Sequence, residues 1–119
     1  MSQDLQPGDF LVYQLESAVA LLRVLDVDEV DGQKIWHLTA YSDFFPDVDA
    51  AENAAVFPDT LSVTYPHIAL TDRAFESTQV ARIINSPIRN EEILLLNDWR
   101  NDEGREVHDR SIRLLLGLR

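Results

Sequence analysis

The dipeptide Asp31-Gly32 narrows the folds open to this chain more than any other feature. A two-residue type I′ hairpin turn needs positive φ at both central positions, and Asp-Gly supplies it at little steric cost. The flanks fit a hairpin. On the way in, Leu25 and Val27 alternate with Asp26 and Asp28, which predicts a strand with one apolar and one wet face. On the return, Lys34 to Ser42, one face holds Ile35, His37, Thr39 and Tyr41 and the other Trp36, Leu38 and Ala40. A long antiparallel hairpin follows, which argues against a central parallel sheet with helical crossovers.

The rest of the chain reads as short strands and then helices. Pro7-Gly8-Asp9 is a turn opening onto a strand from Phe10 to Leu15, with a further turn at Glu16-Ser17. Asp43 to Thr60, framed by Pro46 and Pro58, reads as a long loop with one helical turn around Ala50 to Ala55. Leu61 to Tyr65 is a strand stopped by Pro66, and Ile68 to Leu70 is a short extended piece. Val80 to Ile84 is a strand closed by Ser86-Pro87, because a residue before proline is pushed out of the α region. A helix starts at Asn90, a capping residue, with Glu91 and Glu92 near its positive end. Ile93, Leu96 and Trp99 share its predicted inner face, and Gly104 stops the turn beyond it. From Val107 to Leu118 two readings stand: a short helix capped by Asp109 and closed by Gly117, or an apolar strand. The sum is an α+β, mostly antiparallel domain over 1–119, or a small barrel with a helical appendage. Its β core covers about 8–85 and its helical part about 88–119.

Charge narrows the function classes. The 119 residues carry 10 bases against 21 acids, a net of −11. Residues 1–60 hold twelve acids and two bases, Arg23 and Lys34, so the field sits almost wholly in the first half. Such a field repels nucleic acid and anionic membrane surfaces, and steers a basic partner inward. There is no cysteine, so disulfides and thiolate metal sites are excluded. No apolar run approaches the roughly 20 residues that span a bilayer. The first seven residues lack the basic and apolar regions of a secretory signal, and a cytoplasmic location is expected.

Two stretches carry a family resemblance. Gly8-Asp9-Phe10-Leu11-Val12-Tyr13, followed by Ala20-Leu21-Leu22-Arg23-Val24-Leu25, resembles the opening of SH3-like barrel proteins. It looks most like the SH3-like immunity proteins of bacterial polymorphic toxin systems. Pro66-His67-Ile68-Ala69-Leu70 and Ile83-Ile84-Asn85-Ser86-Pro87-Ile88 are similar to that family's second half. The resemblance implies an SH3-like barrel core and a role in binding and neutralising a toxin domain. It brings no catalytic residue set.

No motif suggests catalysis. There is no nucleophile elbow, no dinucleotide fingerprint and no phosphate-binding loop, and no cofactor is expected. His37, His67 and His108 are scattered, with no metal-ligand spacing. Asp43, Asp47, Asp49 and Glu52 lack the spacing and central glycine of a calcium loop, so solvated carboxylates are the favoured reading and no metal is expected. Phe44 and Phe45, set among those acids with Phe57 nearby, resemble the aromatic anchors of a protein interface; the other reading is that the loop folds back and buries them as a satellite of the core. The expectation is therefore a non-enzymatic protein that meets a basic partner through Asp43, Phe44, Phe45, Asp47, Asp49 and Glu52. The acids would steer and the phenylalanines anchor. The alternative is a small-ligand protein or enzyme with a pocket between barrel and C-terminal helix, built on His37, His67 and Trp99. The apolar C-terminal run adds self-association as a third expectation.

Overall fold

The hairpin forms as its turn chemistry requires. Asp31 and Gly32 both have positive φ, 53° and 79°. They join β2 (Val19–Val30) to β3 (Gln33–Phe45) in antiparallel register. The computed structural model describes residues 5–117. The expectations for Met1 to Asp4 and for Leu118 lie outside those residues.

Three further strands complete one sheet: β1 (Asp9–Gln14), β4 (Val63–Thr71) and β5 (Val80–Asn85), in the order β4-β3-β2-β1-β5. All four pairings are antiparallel. The fold is α+β, as expected, but the sheet is open: among the described residues no ladder joins β4 to β5. The two extended pieces predicted either side of Pro66 are one strand. Proline cannot donate to a ladder, and β4 tolerates it because it lies at the edge of the sheet. The last residues of β4 are covered on their outer edge by the C-terminal segment, where His108 forms a parallel bridge to Leu70. There His108 N–H donates to the Ala69 carbonyl, and Thr71 N–H to that of His108. No segment makes such a bridge along the outer edge of β5 among the described residues.

The loop expected over 43–60 is mostly ordered structure. β3 runs on to Phe45, and α1 (Val48–Ala55) follows. The Asp47 carboxylate accepts from Ala50 N–H and caps α1, and the alanine-rich sequence sustains it. A 3-10 turn occupies Pro58–Thr60. A short helix, α2 (Asp72–Glu76), is capped by Thr71. Next comes α3 (Asn90–Asn101), with Arg89 rather than Asn90 at its N-cap. The tail resolves in favour of a helix, α4 (Ile112–Leu115), capped by Ser111 rather than Asp109, with Gly117 in positive φ beyond it.

Helices lie over both faces of the sheet, so the expected wet face survives only near the hairpin tip. Val19 to Leu25 and Trp36 to Tyr41 are buried without a break. One core, with Leu11, Leu22, Leu38 and Leu70, takes in Phe75 of α2 and Ile112 of α4. Trp36 stacks on Phe75 there, ring centroids 4.0 Å apart. The second core packs Phe10, Val12, Leu21 and Tyr41 under Ala51 and Ala55 of α1. Farther along that second face lies α3.

Candidate functional site

Two places could do work: the acidic segment around α1, and the seam where α3 meets the sheet.

At the seam, β2 carries one residue too many for its partner. Val24 faces Leu38, but Asp26 faces His37. This bulge changes the parity of the strand. Arg23 and Asp26 therefore both reach toward α3, although an odd and an even position would face opposite sides of a regular strand.

The N-terminal end of α3 is fixed by Arg23. Its guanidinium donates to Glu92 (Nε to Oε2 at 2.6 Å, Nη2 to Oε1 at 3.1 Å). It also donates to the carbonyls of Gly8, Ser86 and Pro87 at 3.0–3.1 Å, and it lies over the Phe10 ring. Both charged side chains are buried. Burial alone would push the Glu92 carboxyl up, but the hydrogen bonds from Arg23 and from the Arg89 backbone hold it below its usual value.

At the other end of α3 the histidines meet. His37, fully buried, places Nε2 2.9 Å from Asp28 Oδ2 and Nδ1 2.8 Å from His67 Nε2. The carboxylate can only accept, so His37 carries its proton on Nε2. His37 Nδ1 is then the acceptor, and His67 donates to it from its own Nε2. That leaves His67 Nδ1 as an acceptor with no partner among the described residues. Trp99 closes the cluster edge-on, 4.8 Å from the His37 ring and 5.9 Å from the His67 ring, with its N–H donating to the Glu106 carbonyl. Arg100 spans Asp26 (2.7 Å) and Asp28 (2.6 Å).

Burial pushes the His37 imidazole below its ordinary pKa despite the neighbouring Asp28. Burial, with His37 and Arg100 close by, brings His67 down to about 4. Desolvation would raise Asp28, but hydrogen bonds from Arg100 and His37 outweigh it and the carboxyl sits low. The cluster is a neutral histidine pair on an ionised carboxylate. His67 and Trp99 line a cleft of about 270 Å³ that includes His108. His37, His67 and Trp99 thus come together, as the alternative reading required. Sequence reasoning missed Asp28 and Arg100 as their partners, because the bulge that turns Asp28 inward has no local signal. It also placed Ile93 on the inner face of α3, where the structure puts Glu92 and leaves Ile93 exposed.

The acidic segment is arranged differently. Asp43 accepts from Ser62 N–H at 2.6 Å, and Asp47 caps α1. Asp49 is exposed in the first turn of α1, and Glu52 is half-buried. Phe45 packs against the second core, whereas Phe44 is 52% exposed. Phe57 is 66% exposed, with Val48, Val56 and Val63 also open to solvent. Among the described residues no group of three or more His, Asp or Glu is disposed to hold a metal ion, and no helix is long and apolar enough to cross a membrane.

No family model, curated protein or solved structure matches this chain.

Proposed function

We propose that this protein binds a basic protein partner in the cytoplasm through the surface around α1, as an SH3-like immunity protein binds and neutralises a toxin domain. The observation that carries this reading is the exposure of Phe44 and Phe57 in the same stretch of chain as Asp43, Asp47, Asp49, Glu52 and Asp59. Large apolar side chains held open to water among like charges suit an interface with an apolar centre and a steering rim. The binding is non-enzymatic. The meander order β4-β3-β2-β1-β5 is compatible with a flattened SH3-like core.

The test is co-expression with the protein encoded by the adjacent gene, followed by titration of the purified pair. A complex is expected whose association slows as salt rises. Phe44→Ala should weaken it by about 2 kcal/mol, as loss of an anchor does. Asp49→Lys with Glu52→Lys should slow association and leave the fold intact. An affinity indifferent to both salt and Phe44→Ala would overturn the reading.

A second reading rests on the convergence of His37, His67 and Trp99: a small-ligand site or enzyme at the seam of α3. The unpartnered His67 Nδ1 would accept a hydrogen bond from a ligand in the cleft. Saturation-transfer NMR with a fragment library tests it. Fragment signals lost in Trp99→Ala but kept in Phe44→Ala would favour it, and a cleft that takes up no fragment would remove it.

A further inference from the structure

Away from both sites, two hydroxyls break the usual rule of polar satisfaction. Tyr13 Oη and Thr78 Oγ1 are buried and have no hydrogen-bond partner among the described residues. Tyr13 is 1% exposed and Thr78 7%. Leaving such a group unmet is costly, and native proteins retain few of them. Both residues line a single cleft of about 650 Å³, with their hydroxyls buried behind its surface, and the cleft is of a size suited to a small molecule. Burial pushes the Tyr13 phenol up to about 12 although Arg113 pulls the other way, so it keeps its proton and is available as a donor.

The same wall carries Arg113. An adjoining cleft of about 550 Å³ shares Ser77, Thr78 and Arg113 and adds Arg73 and Arg110. Three of the ten basic residues of an acidic chain thus gather at one place. Arg73 is paired with Asp109, but Arg110 and Arg113 have no salt-bridge partner among the described residues. Leu15, Val19 and Val48 form an apolar part of the wall, and the exposed Glu16 is its one acid.

Two idle donors and an unpaired cation define the head of a ligand, and the apolar wall defines its tail. We propose that this cleft binds a small amphiphilic acid. Its carboxylate or phosphate would take hydrogen bonds from Tyr13 and Thr78 and pair with Arg113, and its hydrocarbon part would lie along Leu15, Val19 and Val48. The site shares Val48 with α1 but uses neither Phe44 nor the histidine seam, so its ligand test is distinct from the tests of both readings above.

Calorimetric titration of the full chain with octanoate, octyl phosphate and octanol tests it. Both acids are expected to bind, and octanol to bind at least about tenfold more weakly for want of a charged head. The tighter of the two acids names the head group. Arg113→Gln should weaken octanoate about tenfold. Tyr13→Phe and Thr78→Val should each weaken it by roughly threefold or more, while leaving the urea midpoint of the unliganded protein unchanged or higher, because each removes an unmet polar atom. That split separates a binding role from a structural one. The proposal is overturned if neither acid binds at about 5 mM, if octanol binds as tightly as octanoate, or if the Phe and Val variants bind like the parent.

Discussion

The two ends of α3 are tied to the sheet by opposite strategies. At its start, Arg23 and Glu92 are sealed from water, and the guanidinium donates to Glu92 and three backbone carbonyls. At its finish, Arg100 bridges two carboxylates that water still reaches, and a histidine pair ends in a nitrogen with no partner among the described residues. Between them only Leu96 supplies a buried apolar contact from the helix. The first tie is closed and can only be made or broken. The second is open, and protons, salt or a ligand can adjust it.

Breaking the closed tie should have the largest effect. Glu92→Ala leaves a buried arginine without its carboxylate and should cost about 3–5 kcal/mol by urea denaturation. Pairing Arg23→Met with Glu92→Leu should recover only part of that loss, since apolar residues can replace a buried ion pair but leave the Gly8, Ser86 and Pro87 carbonyls without their donor. If the double variant is no better than the single one, the pair does more than fill space with matched charge.

Gly8 supports the same tie. Its φ is +93°, its carbonyl accepts from Arg23, and a Cβ there would collide with the Ser86 carbonyl oxygen. Gly8→Ala should cost about 1–3 kcal/mol or more through backbone strain. A thermal midpoint equal to the parent's would show that the turn can shift freely.

The open tie should yield less. Arg100→Ala should lose about 0.5–1 kcal/mol, shrinking as salt rises because the pair is partly screened already. A loss as large as that of Glu92→Ala would erase the contrast between the two ends.

Acid should act on the open end first. His67 and His37 bind protons less readily when folded than the ordinary imidazole near 6.5. Between about 6.5 and 4 the unfolded chain therefore holds more protons, and stability falls as pH falls through that window. The lowered carboxyls of Asp28 and Glu92 add their losses further down, once pH drops below ordinary carboxylate values. Urea midpoints of His67→Gln should fall less steeply from pH 6.5 to 4 than those of the parent and differ little at pH 8. An unchanged slope would mean that His67 is not part of the acid response.

The parts of this fold that rest on local chemistry were legible in the sequence. The Asp31-Gly32 turn, the hairpin and the strands beginning near Phe10 and at Val80 follow from turn residues and alternation, and the start of α3 from proline and acidic punctuation. What depends on distant partners was not. Leu25 looks like any strand leucine, and only the register of β2 against β3, which skips it, reveals the bulge that brings Asp26 and Asp28 under α3. Glu92 reads as a solvated helix acid until Arg23, 69 residues away, is known to face it. Pro46 and Pro58 suggested a loop around α1, although Asp47 and the alanines that follow carried a helix signal. His37, His67 and Trp99 could be named as candidates from their types, but their meeting depends on the pairing of β3 with β4 and on where α3 docks.

The unequal borders of the sheet also set a limit on assembly. The segment around His108 occupies the outer side of β4 at Leu70, whereas the outer side of β5 has no such cover among the described residues. The segment around His108 therefore acts as a stopper against strand addition at the Leu70 end of β4.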